Sequence, residues 1–382
     1  MQSTTASTTE PALAQPAPVR RLLSLDALRG FDMFWIIGGE EVFHVLANTT
    51  GWGWAVFMAG QFTHVTWNGF RPYDCIFPLF LFLAGVSTPY SLENRLNRGD
   101  DRGLMVRKII MRGLILVLLG IIYNNGLFMK PLSQMRFPSV LGRIGLAGMF
   151  AQLIYVSVRH ERVRFGVFVG ILLSYWALLM LVPVPGYGAG NLSMEGSLVG
   201  YVDRLVMPGR LYKVVHDPEG LLSTLPAIAT GLMGIFAGTV LRQKNRSDGD
   251  KLKRLVLAGV VCIGLGWLWN LVLPVNKNLW TSSFVLVAGG WSVLALSLFY
   301  WIIDVKNWRR WAYFFVVIGM NSILIYLAGK VIDFEHATTY LFGGLLRFFS
   351  EPVQAVGVII AFLALKWLFL YFLYKKKVFL RI

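Results

Sequence analysis

The sequence predicts an all-α polytopic membrane protein of about ten transmembrane helices, with both chain ends on the cytoplasmic side. Three observations lead there. Of 382 residues, 56% are hydrophobic and only 15% charged, and the mean hydropathy is +0.60, which leaves too little polar surface for a soluble fold of this size. The apolar residues gather in continuous runs of about 20, enough helix to cross about 30 Å of hydrocarbon, whereas a membrane barrel alternates over segments of about ten. The basic residues concentrate on alternate connections between these runs.

Spans are expected at about 27–48, 74–93, 107–124, 138–158, 164–183, 221–241, 254–273, 280–303, 311–332 and 353–374. The stretches "TYLFGGLLRFF" at 339–349 and "GWGWAVF" at 51–57 are too short to cross and are expected to lie at the interface or re-enter it. The opening "MQSTTASTTEPALAQPAP" lacks the apolar core of a signal peptide and is expected to form, within 1–20, a disordered cytoplasmic tail. Both cysteines, Cys75 and Cys262, sit inside apolar runs, so they read as packing residues rather than a disulfide or a metal site. No zinc spacing, phosphate loop or dinucleotide fingerprint occurs in a suitable context, so no metal is expected.

A net charge of +16 raises the question of nucleic acid, but the basic residues lie between apolar segments, where membrane orientation explains them. Arg95, Arg98, Arg102, Arg107, Lys108, Arg112, Arg242, Lys244, Arg246, Lys251, Lys253 and Arg254 all fall on connections, or on the span ends beside them, that an N-inside, C-inside arrangement makes cytoplasmic. This arrangement puts His64 outside. It also makes 184–220, with "VPVPGYGAGN" and "HDPEG", a long outer loop, a length usually tied to function or disorder.

Four polar clusters then fall at outer span ends: Glu40 and Glu41; His64 to Asp74; "HDPEG" at 216–220; and "NKNLWTSS" at 276–283. If the bundle closes around an outward cavity, these ends converge. His64 is suited to act as a base near neutral pH, and Asp74, ten residues on, to orient its imidazole. Each has a plainer reading: an interfacial hydrogen bond for His64, a helix cap for Asp74, an aromatic anchor for Trp67, a turn for Asn68-Gly69, and a helix start for 217–220. Glu40 is costly inside a span and generally needs a polar interior or a partner. Arg143, permanently charged in a span, needs an anionic counterpart. Asn321, mid-span, reads equally as interhelical glue.

Six segments carry a resemblance: "RLLSLDALRGFDMF" (21–34), "HVTWNGFRPYDCIFPLFLFLAGVS" (64–87), "FPSVLGRIG" (137–145), "DPEGLLSTLPAIATGLMGIFAG" (217–238), "PVNKNLWTSSFV" (274–285) and "FVVIGMNSILIYL" (315–327). In this order they resemble the heparan-α-glucosaminide N-acetyltransferase family, the lysosomal transmembrane acetyltransferase and its bacterial relatives. The resemblance implies a transmembrane acyltransferase-like domain over 21–382. It further implies transfer of acetyl from cytoplasmic acetyl-coenzyme A (acetyl-CoA) to the amine of glucosamine, or a related amino sugar, on the far side of the membrane. A bacterial cytoplasmic membrane with His64 facing the periplasm, and a homodimer, follow from the same resemblance.

The family's catalytic histidine maps onto His64 and its aspartate onto Asp74. Where the family places an asparagine in the first span, this chain has Glu40, a departure that bears on acceptor chemistry. The expected donor contacts are Arg107, Lys108 and Arg112 on the coenzyme phosphates, with Arg143 and Asn321 along the path of its arm. The expected acceptor contacts are Trp67, Asn68, Asp217, Glu219, Asn276 and Trp280. Direct attack and an acetyl-histidine intermediate both remain open here. The expected partners are the glycan acceptor and membrane lipids, with no nucleic acid. A sugar transporter of the same fold and an acyltransferase for another envelope sugar are the competing readings; no internal repeat of the transporter kind is seen.

Overall fold

A computed structural model describes residues 22–126 and 130–380; the expected tail at 1–20 lies outside them. The described chain is helical, with two isolated β-bridges, Arg136 to Gly209 and Val184 to Gly188. The helices are α1 (Leu23–Phe34), α2 (Glu41–Thr50), α3 (Gly53–Gln61), α4 (Ile76–Asn97), α5 (Arg102–Asn125), α6 (Val140–Ser157), α7 (Glu161–Leu181), α8 (Leu198–Val206), α9 (Thr224–Arg242), α10 (Asp248–Trp269), α11 (Ser282–Phe299), α12 (Ala312–Gly319), α13 (Ser322–Ala328), α14 (Phe334–Leu346) and α15 (Glu351–Lys375).

Seven are long and apolar enough to cross a membrane: α4 with its 3-10 entry at Pro72, α6, α7, α9, α10, α11 with its π-helical extension to Val305, and α15. The protein is thus an all-helical polytopic membrane protein. The remaining three expected spans have a more complicated form. The segment 107–124 falls on α5, which carries Arg102, Arg107, Lys108 and Arg112 in its first half. The segment 27–48 is broken by a π-turn at Trp35–Gly39, where Gly38 has φ +123°, a conformation open to glycine. The carbonyl of Ile37, within that break, accepts from Lys366 Nζ at 2.8 Å. The segment 311–332 is broken at Asn321, whose amide donates to Val378 O (2.9 Å) while its oxygen accepts from Leu380 N (3.0 Å). Hydrophobicity marks a crossing but not an interruption within it, because a single side chain can replace the lost backbone bonds.

Helix starts follow local capping rules. Asp101, Ser139 and Ser247 accept from Gly103 N (2.7 Å), Gly142 N (2.9 Å) and Asp250 N (3.1 Å) respectively, satisfying amide groups that the first turn leaves free.

Small residues then let the helices approach backbone to backbone. A Cβ on Gly234 of α9 would lie 2.0 Å from Phe82 O of α4, and one on Gly30 of α1 would lie 1.7 Å from Phe315 O of α12. Gly234→Ala is therefore expected to force α4 and α9 apart, lowering stability by about 1–3 kcal/mol, the usual cost of overpacking. Thermal unfolding in detergent measures it.

The α4–α9 pair sits in a core that includes Leu81, Phe82, Leu83, Leu232 and Ile235, all buried. At one end of this core the connections 62–75, 130–139, 184–223 and 270–281 meet. Gly69 N donates to Val275 O (2.8 Å), Trp67 Nε1 to Leu192 O (2.9 Å), and Arg136 to Asp217.

Candidate active site

The expected pair forms. Pro72 opens a single 3-10 turn, Pro72–Cys75, before α4, and Asp74 closes it by accepting from Arg71 N at 3.0 Å. The other Asp74 oxygen accepts from His64 Nδ1 at 2.8 Å. Capping and histidine orientation, read from the sequence as alternatives, are thus performed by the two oxygens of one buried carboxylate. With its proton held on Nδ1, the imidazole keeps Nε2 as its basic nitrogen. The His64 side chain is half exposed, at 50%.

Lys277 completes the cluster and was not singled out from the sequence. Its Nζ lies 3.0 Å from both His64 Nδ1 and Nε2 and 3.7 Å from Asp74. Burial pulls the ammonium pKa below its ordinary value, and the neighbouring Asp74 charge works against that shift. Its signal in the sequence is a lysine directly before a span, in "PVNKNLW".

Glu40 reaches His64 through one intermediary. Tyr73 donates its hydroxyl to Glu40 Oε1 (3.1 Å), and its ring lies 4.6 Å from the imidazole. The second Glu40 oxygen is buried without a partner.

Four of the expected acceptor residues lie in the connections around the His64–Asp74 pair. Asn276 donates to Asn68 Oδ1 (3.0 Å) and accepts from Leu279 N (2.8 Å), fastening the His64 loop to the Lys277 loop. Trp67 packs edge-on against His216 at 5.4 Å. Trp280 is buried, with φ +51°, Arg143 over its ring at 4.9 Å and Phe77 against its edge.

Asp217 and Glu219 form a second cluster around Arg136, another residue that sequence reasoning passed over. Arg136 holds Asp217 with Nε and Nη2 at 2.8 and 2.7 Å and also pairs with Glu219. The two carboxylates raise the guanidinium pKa, while burial raises that of Glu219. Arg143 reaches the same region, bonding to Gly220 O (3.1 Å) and Ser223, with Nε and Nη1 buried and unpartnered.

Nearby, burial raises the Asp203 pKa to about 7 and lowers that of His216 to about 4. Their contributions to stability run in opposite directions. A buried acid with a raised pKa gains stability as pH falls from about 7 toward 3.8, and a buried base with a lowered pKa loses it as pH falls from 6.5 toward 4. The wild type is expected to gain on Asp203→Asn as pH falls across the first window, read from unfolding temperatures of both proteins between pH 4 and 7.

The expected donor residues stand apart from the His64 cluster. Arg107, Lys108 and Arg112 lie exposed on the first half of α5. Its other end is tied, through Asn124 and Asn125, to Pro138 O and Arg136 O of the end that carries His64. Asn321 holds the segment at 378–380, as described above. Among the described residues, no group of three His, Cys, Asp or Glu side chains is arranged to hold a metal ion.

No model of a known protein family matches the chain. It is 29% identical to the heparan-alpha-glucosaminide N-acetyltransferase of Homo sapiens, over 95% of this chain and 60% of that protein. It is 30% identical to the Mus musculus protein of the same name, over 98% of this chain and 64% of the relative. The chain therefore spans under two thirds of the length of these curated relatives.

Proposed function

Since the chain is a relative of the heparan-alpha-glucosaminide N-acetyltransferase family, we propose that it is a transmembrane acetyltransferase acting on the amine of glucosamine or a related amino sugar, with acetyl-CoA as donor. The observation that carries this reading is the His64–Asp74 pair: a half-exposed imidazole whose tautomer is fixed by a buried carboxylate.

A thioester is already activated, so the protein needs mainly to position it, remove a proton and hold charge at the carbonyl oxygen. The neutral acceptor amine attacks the acetyl carbonyl, forming the C–N bond. His64 Nε2 takes the amine proton, and Asp74 stabilises the resulting imidazolium. The C–S bond then breaks, and the leaving thiolate takes that proton back from the His64 imidazolium, so coenzyme A departs as the thiol and the neutral base is restored. Lys277 is the adjacent cation for the developing oxyanion, and Tyr73 and Glu40 fix the face of the imidazole.

The orientation in this proposal is the one the basic loops suggest. Donor arrives at the α5 side, where Arg107, Lys108 and Arg112 meet the coenzyme phosphates, and acceptor arrives at the His64 side, toward the periplasm of a bacterial cytoplasmic membrane. Arg143 and Asn321 are assigned to the path of the pantetheine arm, and Trp67, Asn68, Asp217, Glu219, Asn276 and Trp280 to the walls and supports of the acceptor pocket. The assembly is a homodimer.

The test uses vesicles containing the purified protein, with labelled acetyl-CoA on one side and glucosamine on the other. Labelled N-acetylglucosamine is expected on the acceptor side. No labelled product with donor on either side would overturn the proposal, and donor-independent exchange of N-acetylglucosamine would replace it with transport.

A further inference from the structure

Beside the His64 cluster lies a cavity of ≈ 520 Å³, bounded by α1, the 62–73 segment, the start of α4, and α10 and α11. Half of its lining residues are aromatic, including Phe31, Trp35, Phe62, Tyr73, Trp267 and Trp291, and it contains one carboxylate, Asp32. Asp32 is 1% exposed, and neither of its oxygens has a hydrogen-bond partner. It takes part in no ion pair among the described residues. Of the other polar groups in the wall, Tyr73 donates to Glu40, Ser292 to Ala288 O (2.8 Å) and Cys75 to the same carbonyl (3.6 Å).

An ionised carboxylate in so apolar a wall is stable only if a cation meets it, and aromatic faces attract the same ligand through their quadrupoles. We propose that this cleft is a binding site for an apolar organic ammonium, its charge against Asp32 and its body among the rings. An anion is excluded by the carboxylate. A lipid acyl chain would fill the space but leave Asp32 unmet.

Trp267 and Trp291, 44% and 48% exposed, form the surface edge of the cleft. From there ring contacts run to the imidazole: Trp35 to Phe62 at 4.5 Å, Phe62 to Tyr73 at 6.1 Å and Tyr73 to His64 at 4.6 Å. The ligand would thus sit behind Tyr73. The site does not depend on acetyl transfer, because it recognises charge and shape in the absence of any donor.

The experiment is equilibrium binding of tritiated benzyltriethylammonium to the full-length protein in detergent, without acetyl-CoA, in competition with an uncharged carbon isostere of the same shape. Saturable binding is expected, with the isostere at least ten-fold weaker as a competitor. Asp32→Asn is expected to abolish that preference and Asp32→Glu to keep it. Trp35→Leu, which removes a ring but not the charge, is expected to weaken the ammonium more than the isostere. Equal competition by the isostere in the wild-type protein would reduce the cleft to a lipid pocket and overturn the proposal, as would absence of saturable binding or an unchanged preference in a folded Asp32→Asn.

Discussion

His64→Ala is expected to slow acetyl transfer by about 10²–10⁴-fold, the usual contribution of a positioned general base, while the protein keeps its unfolding temperature. The stability follows from exposure: the half-open imidazole packs against Tyr73 on one face, and Asp74 keeps its turn bond to Arg71 N without it. Rates of labelled acetyl transfer at saturating donor, with melting curves as control, decide the matter. An undiminished rate in the folded variant would remove His64 from the chemistry. Asp74→Asn should retain the turn while losing the charge that steadies the imidazolium, giving a slower enzyme with a near-normal fold.

Arg136→Met is expected to destabilise the protein by about 3–5 kcal/mol, because it strands one buried and one largely buried carboxylate at once. The Arg136 side chain is 14% exposed, Asp217 is fully buried and Glu219 is 13% exposed, so water cannot take the cation's place. Denaturant unfolding in mild detergent measures the loss. Adding Asp217→Asn and Glu219→Gln to the same chain should recover much of it, since the uncompensated charges disappear together. No recovery would mean that the guanidinium matters chiefly by packing, through its contact with the Tyr212 ring at 4.6 Å.

The helical, membrane-spanning character of the chain was legible because each crossing declares itself in a local run of apolar residues. What interrupts a crossing was not: the π-turn at Trp35–Gly39 depends on Lys366, 329 positions away in sequence, to bond the Ile37 carbonyl. The same holds at the site. His64 and Asp74 lie ten residues apart in one motif and were readable together. Lys277 lies 213 positions from His64, and Arg136 lies 81 from Asp217. Such partnerships are fixed by how the connections at one end of the bundle meet, and no local spacing contains that. Asp217 and Glu219 illustrate the consequence. As sequence they are carboxylates free for a ligand, and in the folded chain an arginine already engages both.

The bond pair between Asn321 and the backbone at 378–380 ties the joint of α12 and α13 to the final residues of the chain. Pulling, tagging or trimming beyond Lys377 therefore acts on a hinge well inside the bundle. For anyone handling this protein, a cut or an insertion at 378–380 would tug on the clasp that keeps this interrupted crossing in one piece.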